Sequence, residues 1–213
     1  MKILYYSTPF FADCDFPLVK ALQDVGHDVT YIIKLAPYSL KSTLFNIKEQ
    51  IPENTIFPAV RYPELKIYES YMDMSKVYIA NQIVMQDSSL QSLRMTLKVV
   101  RFIKKGQFDV VHTDSMLGMW NLILYKLFGK KMVLTVHDPF PHTGEITARK
   151  MFNYKMAMKM VCHFVLLNDK QKEQFCKSYH VRPEQVLINR LGVYDNISSI
   201  FQCRIPIQFL ITY

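Results

Sequence analysis

Residues 131–145 read KMVLTVHDPFPHTGE. Residues 132–136 are a short apolar, β-branched run bounded by turn signals, the pattern of a strand buried on both faces. The run stops at His137-Asp138. Pro139 and Pro141 then forbid regular structure, and a second imidazole, His142, precedes Gly144. Ligands of open α/β sheets bind outside the carboxyl ends of the strands, so a polar pair at such an end is where a site is expected. An arbitrary His-Asp pair is more often a turn in which the carboxylate bonds nearby backbone and the imidazole packs. The strand end and the prolines favour a site.

The same alternation extends outward from this stretch. Upstream, residues 108–112 (FDVVH) read as a strand with His112, Thr113, Asp114 and Ser115 at its carboxyl end. An apolar helix over 116–128 and a Gly129-Lys130 turn follow. Downstream come a helix over 146–161, a strand over 163–167, a helix over 170–179 capped by Asn168-Asp169, and a last strand over 186–189. At the start, 2–7 (KILYYS) is a buried strand and 8–15 is its loop. The spacing predicts a helix over 16–25 with Asp15 as N-cap and Pro17 in the first turn. Gly26 closes it, and a strand over 29–33 follows. Strand, helix, glycine and strand within about 30 residues make a βαβ unit, whose strands are parallel. The middle is less regular, with a helix over 39–50, a strand over 55–60 and a mixed Tyr- and Met-rich stretch over 67–86 with a helix from Met74. Residues 89–105 form an amphipathic helix, with Leu90, Leu93, Leu97, Val100 and Ile103 or Phe102 on one face and Arg94, Lys98, Arg101, Lys104 and Lys105 on the other. These elements define an α/β fold class: one domain with a mostly parallel sheet flanked by helices.

Half of the 213 residues are hydrophobic and 21% are charged, which excludes a disordered chain. The net charge of +8 suggests an anionic partner. The positive charge is spread along the chain without a run of five, which argues against nucleic acid. The basic faces of the helices at 89–105 and 146–161 read as solvated outer surface, with contact to anionic lipid headgroups as the second reading. Cys14, Cys162, Cys176 and Cys203 form no C-x-x-C pair or zinc spacing, no secretory leader is visible, and no uncharged apolar stretch reaches 18 residues. A reducing cytoplasm, and no metal or cofactor, are the expectations. No Gly-rich phosphate loop follows the first strand, which counts against an NAD enzyme or an ATPase, and no G-x-S-x-G elbow is present.

Taken in order, KILYYSTPF, LVKALQDVGHDVTYI, FDVVHTD, MVLTVHD, FVLLNDKQKEQF and VLINRLGV resemble the N-terminal half of a GT-B fold, family 4-like glycosyltransferase over residues 1–195. The resemblance implies a Rossmann-like domain that binds the acceptor and faces a second domain that binds the nucleotide sugar. It implies that His137, at the T-x-H strand end, lies near the anomeric centre, as a hydrogen-bond donor or in proton transfer. Asp138, His142, Thr8, Asp13, Asp15, His112 and Asp114 become acceptor-binding candidates. The sequence departs from the family in three ways. Phe10-Phe11-Ala12-Asp13 stands where a glycine pair is common, so Asp13 and Asp15 repel a diphosphate unless they hold acceptor hydroxyls. Leu191 replaces the asparagine before Gly192. The donor-binding half is missing, and residues 196–213 read as the irregular start of that domain or as a truncation scar.

The expected function is hexosyl transfer from a nucleotide sugar to a glycan or lipid-linked acceptor. This chain supplies the acceptor-binding domain and is inactive alone. The alternative is a non-catalytic acceptor-binding subunit that pairs with a separate donor-binding chain. A cytoplasmic location with peripheral contact to an anionic inner membrane face fits either.

Overall fold

The computed structural model describes residues 1–36, 47, 51–82, 87–114, 118–140 and 147–189, except the side chains of Asp13 and Lys150. The helix expected over 39–50, His142 and the tail over 196–213 lie outside the described residues. Among the described residues eight strands form one sheet: β1 (Lys2–Ser7), β2 (Asp28–Leu35), β3 (Thr55–Pro58), β4 (Val77–Asn81), β5 (Val110–Asp114), β6 (Met132–Val136), β7 (His163–Leu166) and β8 (Val186–Ile188). Their order is β3-β4-β2-β1-β5-β6-β7-β8. All neighbours pair in parallel except β3 with β4.

Among the described residues five helices cover the sheet: α1 (Ala12–Asp24), α2 (Leu90–Gly106), α3 (Leu122–Phe128), α4 (Ala148–Met160) and α5 (Lys172–Tyr179). Alternation along β1 separates two cores. Leu4 and Tyr6 pack with buried residues of α2, α3, α4 and α5, among them Val99, Leu124, Ala157 and Phe175. Ile3 and Tyr5 point the other way and pack with Ala12, Phe16 and Val19 of α1 and with Tyr62, Leu65 and Tyr68. β1 lies between β2 and β5, so the chain's two halves diverge there. Open α/β sheets bind ligands at such a switch point, here the carboxyl ends of β1 and β5.

The structure corrects four local expectations. Asp15 is not an N-cap: a 3-10 turn at Pro9–Phe11 runs into α1, which starts at Ala12 and takes Asp15 and Pro17 inside. No helix begins at Met74; a 3-10 turn at Met74–Lys76 leads into β4, whose run of buried positions requires a strand between β2 and β3. The helix expected over 116–128 is, among the described residues, a 3-10 turn at Met119–Asn121 and then α3. On α2 the buried side is Ser92, Met95, Thr96, Val99, Val100 and Ile103, whereas Leu90 and Leu97 are exposed. Its basic side chains set this rotation. Burying several unpaired cations costs far more than burying a serine, and Ser92 keeps a hydroxyl bond of 3.0 Å to Ser89.

The C-terminus of α1 follows expectation. Gly26 adopts φ +85°, the Gly26 amide donates to the Gln23 carbonyl and the His27 amide to the Leu22 carbonyl. This paired closure favours glycine because a Cβ is strained at positive φ.

Candidate active site

Parallel pairing brings the polar residues of three strand ends together. Tyr5 of β1 is in register with His112 of β5, and Asp114 of β5 with Thr135 of β6. His112 and Asp114 are two apart, so they share the face on which Tyr5 lies. His137 follows β6 directly.

Asp15 anchors the cluster from α1. It is 1% exposed, and its two oxygens accept from the phenols of Tyr5 (2.8 Å) and Tyr31 (2.9 Å). Burial, then the neighbouring Asp114 carboxylate, pushes the Asp15 carboxyl well above the ordinary aspartate range. Burial and the same two carboxylates raise the Tyr5 phenol, which stays a neutral donor.

Asp114 Oδ1 lies 2.5 Å from His137 Nε2. The Asp114 side chain is 2% exposed and that of His137 is 21% exposed, so the imidazole is the face of the cluster that solvent or a ligand can meet. Phe11 stacks on the His137 ring with centroids 4.0 Å apart and planes 18° apart. The ring is therefore held at one nitrogen and one face, which leaves Nδ1 for a second partner.

His112 is enclosed. It shares a 2.7 Å hydrogen bond with Thr135 Oγ1, and its ring lies 4.5 Å from that of Tyr5. Burial pushes its pKa down to about 4, so it is neutral at physiological pH. Thr8 is buried, and its Oγ1 has no hydrogen-bond partner among the described residues. Asp138 is exposed at the strand end, and its carbonyl accepts from Tyr154 at 3.5 Å.

The structure thus joins Asp114 with His137 and Asp15 with Tyr5 and Tyr31, with His112 against Tyr5 and Thr8 in the adjoining loop; Asp138 stands outside these contacts. Sequence reading missed Tyr5, Tyr31 and Phe11 as their supports. The available signal was a tyrosine within each of two buried strands, since a buried phenol needs an acceptor. It also missed Lys34, at 5% exposed in the run YIIKL, whose ammonium lies 3.6 Å from Asp87.

The topology and this rim define a Rossmann-like domain of the GT-B kind. The sequence profile of Glycosyltransferase Family 4 matches residues 17–194, and the chain belongs to that family. Similar solved structures include a glycosyltransferase from Rickettsia africae (18% identity, TM-score 0.52, 90% of this chain and 43% of that one). The Anabaena protein HepE in complex with UDP matches with 14% identity and TM-score 0.54 over 91% of this chain and 44% of that one. UDP-GlcNAc 2-epimerase from Neisseria meningitidis matches with 10% identity and TM-score 0.55 over 88% and 46%. The chain spans less than half the length of each. No curated protein sequence matches it.

Proposed function

We propose that residues 1–195 are the acceptor-binding domain of a glycosyltransferase that moves a hexosyl group from a nucleotide sugar to a glycan or lipid-linked acceptor. The observation that carries this reading is the Asp114–His137 pair, buried behind and open in front, at the carboxyl ends of β5 and β6. Asp114 holds Nε2–H, so Nδ1 accepts a hydrogen bond from an acceptor hydroxyl and can take its proton as the hydroxyl oxygen attacks the anomeric carbon. The bond from that carbon to the nucleotide diphosphate breaks in the same transfer. Thr8 Oγ1 and Asp138 are the nearby groups offered to further acceptor hydroxyls; His142 and Asp13 complete the proposed set, and His112 acts only from beneath. The nucleotide sugar is brought by a second domain or a partner chain, and the chain alone does not turn over.

The outer helices suggest where the acceptor resides. α2, α3 and α4 contain no Asp or Glu, and α3 contacts both of its neighbours. Arg94, Lys98, Arg101, Lys104, Lys105, Arg149, Lys155 and Lys159 are exposed on this side, with the apolar Leu97, Leu127 and Phe152 among them. Among the described residues no helix is long and apolar enough to cross a membrane. Three adjoining helices that carry exposed cations and no acid of their own support peripheral contact with an anionic lipid surface that presents the acceptor.

Isothermal titration of the chain with UDP- and GDP-sugars tests the division of labour. No binding at micromolar concentrations is expected. Micromolar binding would put the donor on this chain and overturn the assignment.

A further inference from the structure

The chain that leaves β6 through His137 is stiff and short of donors. Pro139 fixes its own φ and confines Asp138 to the extended region, and neither Pro139 nor Pro141 has an amide hydrogen. A buried carbonyl in this stretch therefore takes its donor from elsewhere in the fold. Pro139 is buried, and its carbonyl accepts at 2.7 Å from the phenol of Tyr179, the last residue of α5. A carbonyl can only accept, so the phenol is the donor. The Tyr154 phenol of α4 reaches the preceding carbonyl, that of Asp138, only at the long limit of such a bond, 3.5 Å. Tyr179 is itself placed by a run of rings that starts in the core. Phe164 of β7 and Phe175 of α5, both buried, have centroids 5.5 Å apart. Phe175 and Tyr179 stand one helical turn apart with centroids at 5.2 Å. Tyr154 and Phe140 flank Tyr179 at 5.1 and 6.3 Å.

We propose that Tyr179 is a positioning residue for His137: its phenol, anchored on Phe175 and Phe164, pins the Pro139 carbonyl and so fixes the backbone from which the imidazole meets Asp114 and Phe11. The segment is held on both sides of His137. Upstream, Val136 is fixed in β6, in register with Leu166 of β7. Downstream, the Pro139 carbonyl is fixed on Tyr179. Both holds trace back to β7, one through the strand ladder and one through the ring of Phe164. Because the Pro139 φ is set and Asp138 is confined, a hold at each end leaves the His137 backbone little freedom to turn. The ring it carries meets two narrow conditions at once. Its Nε2 lies 2.5 Å from Asp114, and its face stacks on Phe11 with centroids at 4.0 Å. Hydrogen bonds weaken steeply as their angle opens, so a small backbone drift is enough to lose the first. Tyr179 acts through His137 and is not itself offered to a ligand.

The link to transfer rests on the reading of His137 given above, whereas the placement of the ring can be read without any sugar. Tyr179→Phe removes the hydroxyl and keeps the ring. In NMR spectra of this variant the Pro139 carbonyl carbon is expected upfield of wild type. The His137 ring signals are expected to leave the positions that the stacked Phe11 ring imposes. The ring signals of His112, enclosed on β5, stay in place and control for a general loosening of the fold. Tyr154→Phe moves His137 less, because its contact is longer. In the enzyme assembled with its donor-binding half, Tyr179→Phe is expected to lower kcat by about tenfold or more, with the acceptor KM within about twofold of wild type. It is expected to cost nothing further once His137 is alanine, since it acts through that ring. His137 signals that stay in place, shifts shared equally by His112, or a full further loss in the His137→Ala background would overturn the proposal. If Tyr179→Phe does not fold, the Tyr179 hydroxyl proton of the wild type decides: slow exchange supports the bond, and exchange too fast to observe overturns it. Spectra as expected, with turnover unchanged in His137→Ala, would reject the functional reading and leave the positioning of the ring intact.

Discussion

His137 Nε2 lies 2.5 Å from Asp114 Oδ1 across 23 residues of sequence, because β5 and β6 run parallel with Asp114 beside Thr135. The pair therefore depends on one register, and a slip of one residue would turn Asp114 to the opposite face.

Substitution of either partner tests whether they act as a unit. In the enzyme assembled with its donor-binding half, His137→Ala is expected to lower turnover by about 10²-fold or more. Asp114→Asn is expected to lose a similar factor, and the double variant little more than either alone. Losses that multiply would show that the two residues work independently.

Acid stability should report His112. Its folded pKa of about 4 lies below the ordinary value of 6.5, so the unfolded chain binds the proton first. The stability that His112 contributes is present above pH 6.5 and is lost as the pH falls toward 4, on the order of 3 kcal/mol in total. Asp15 works in the opposite sense: its raised folded pKa favours the native state at low pH, and that share is lost as the pH rises through the folded value. Urea unfolding of wild type and His112→Gln at the same pH values isolates the histidine. The stability difference between them is expected to shrink between pH 6.5 and 4; a constant difference would show that His112 is not buried neutral.

Gly129 marks a close approach of backbones. A Cβ there would meet the Met160 carbonyl oxygen at 2.0 Å, and the Gly129 carbonyl accepts from the Cys162 amide at 3.1 Å. Neither backbone can yield as a side chain would. Gly129→Ala is expected to cost roughly 1–3 kcal/mol in chemical denaturation, with the end of α4 displaced. Wild-type stability in this variant would mean that the α3–α4 contact is looser than its geometry.

The cations of α2, α3 and α4 have a charge-reversal test. Wild-type chain should float with vesicles rich in anionic lipid at roughly 0.1 M salt and release at roughly 1 M, where the screening length falls to about 3 Å. Arg101→Glu with Lys105→Glu should abolish flotation and leave the melting temperature unchanged. Binding that survives both conditions would remove this face from the account.

Strands β1 and β6 were legible because each is a compact apolar run with a sharp polar boundary. The closure of α1 was legible because glycine at the helix end is a local requirement. β4 was not, since VYIAN is flanked by polar residues and is apolar only as part of a sheet covered on both sides. The leucines of α2 misled because hydrophobicity alone does not set a helix's rotation; the cations opposite did. At the site, His137 and Asp114 were both recognisable as strand-end polar residues, yet their contact was not.

The order of the elements and the polar strand ends were determined by the sequence, because periodicity, caps and turn residues act within a few positions of one another. The union of Asp15, Asp114 and His137 was decided only by tertiary structure. Asp114 and His137 meet through the parallel register of β5 and β6, and Asp15 arrives beneath them from α1 on the phenols of Tyr5 and Tyr31. Burial then sets the Asp15 carboxyl between those phenols, which come from two strands that only the sheet places side by side.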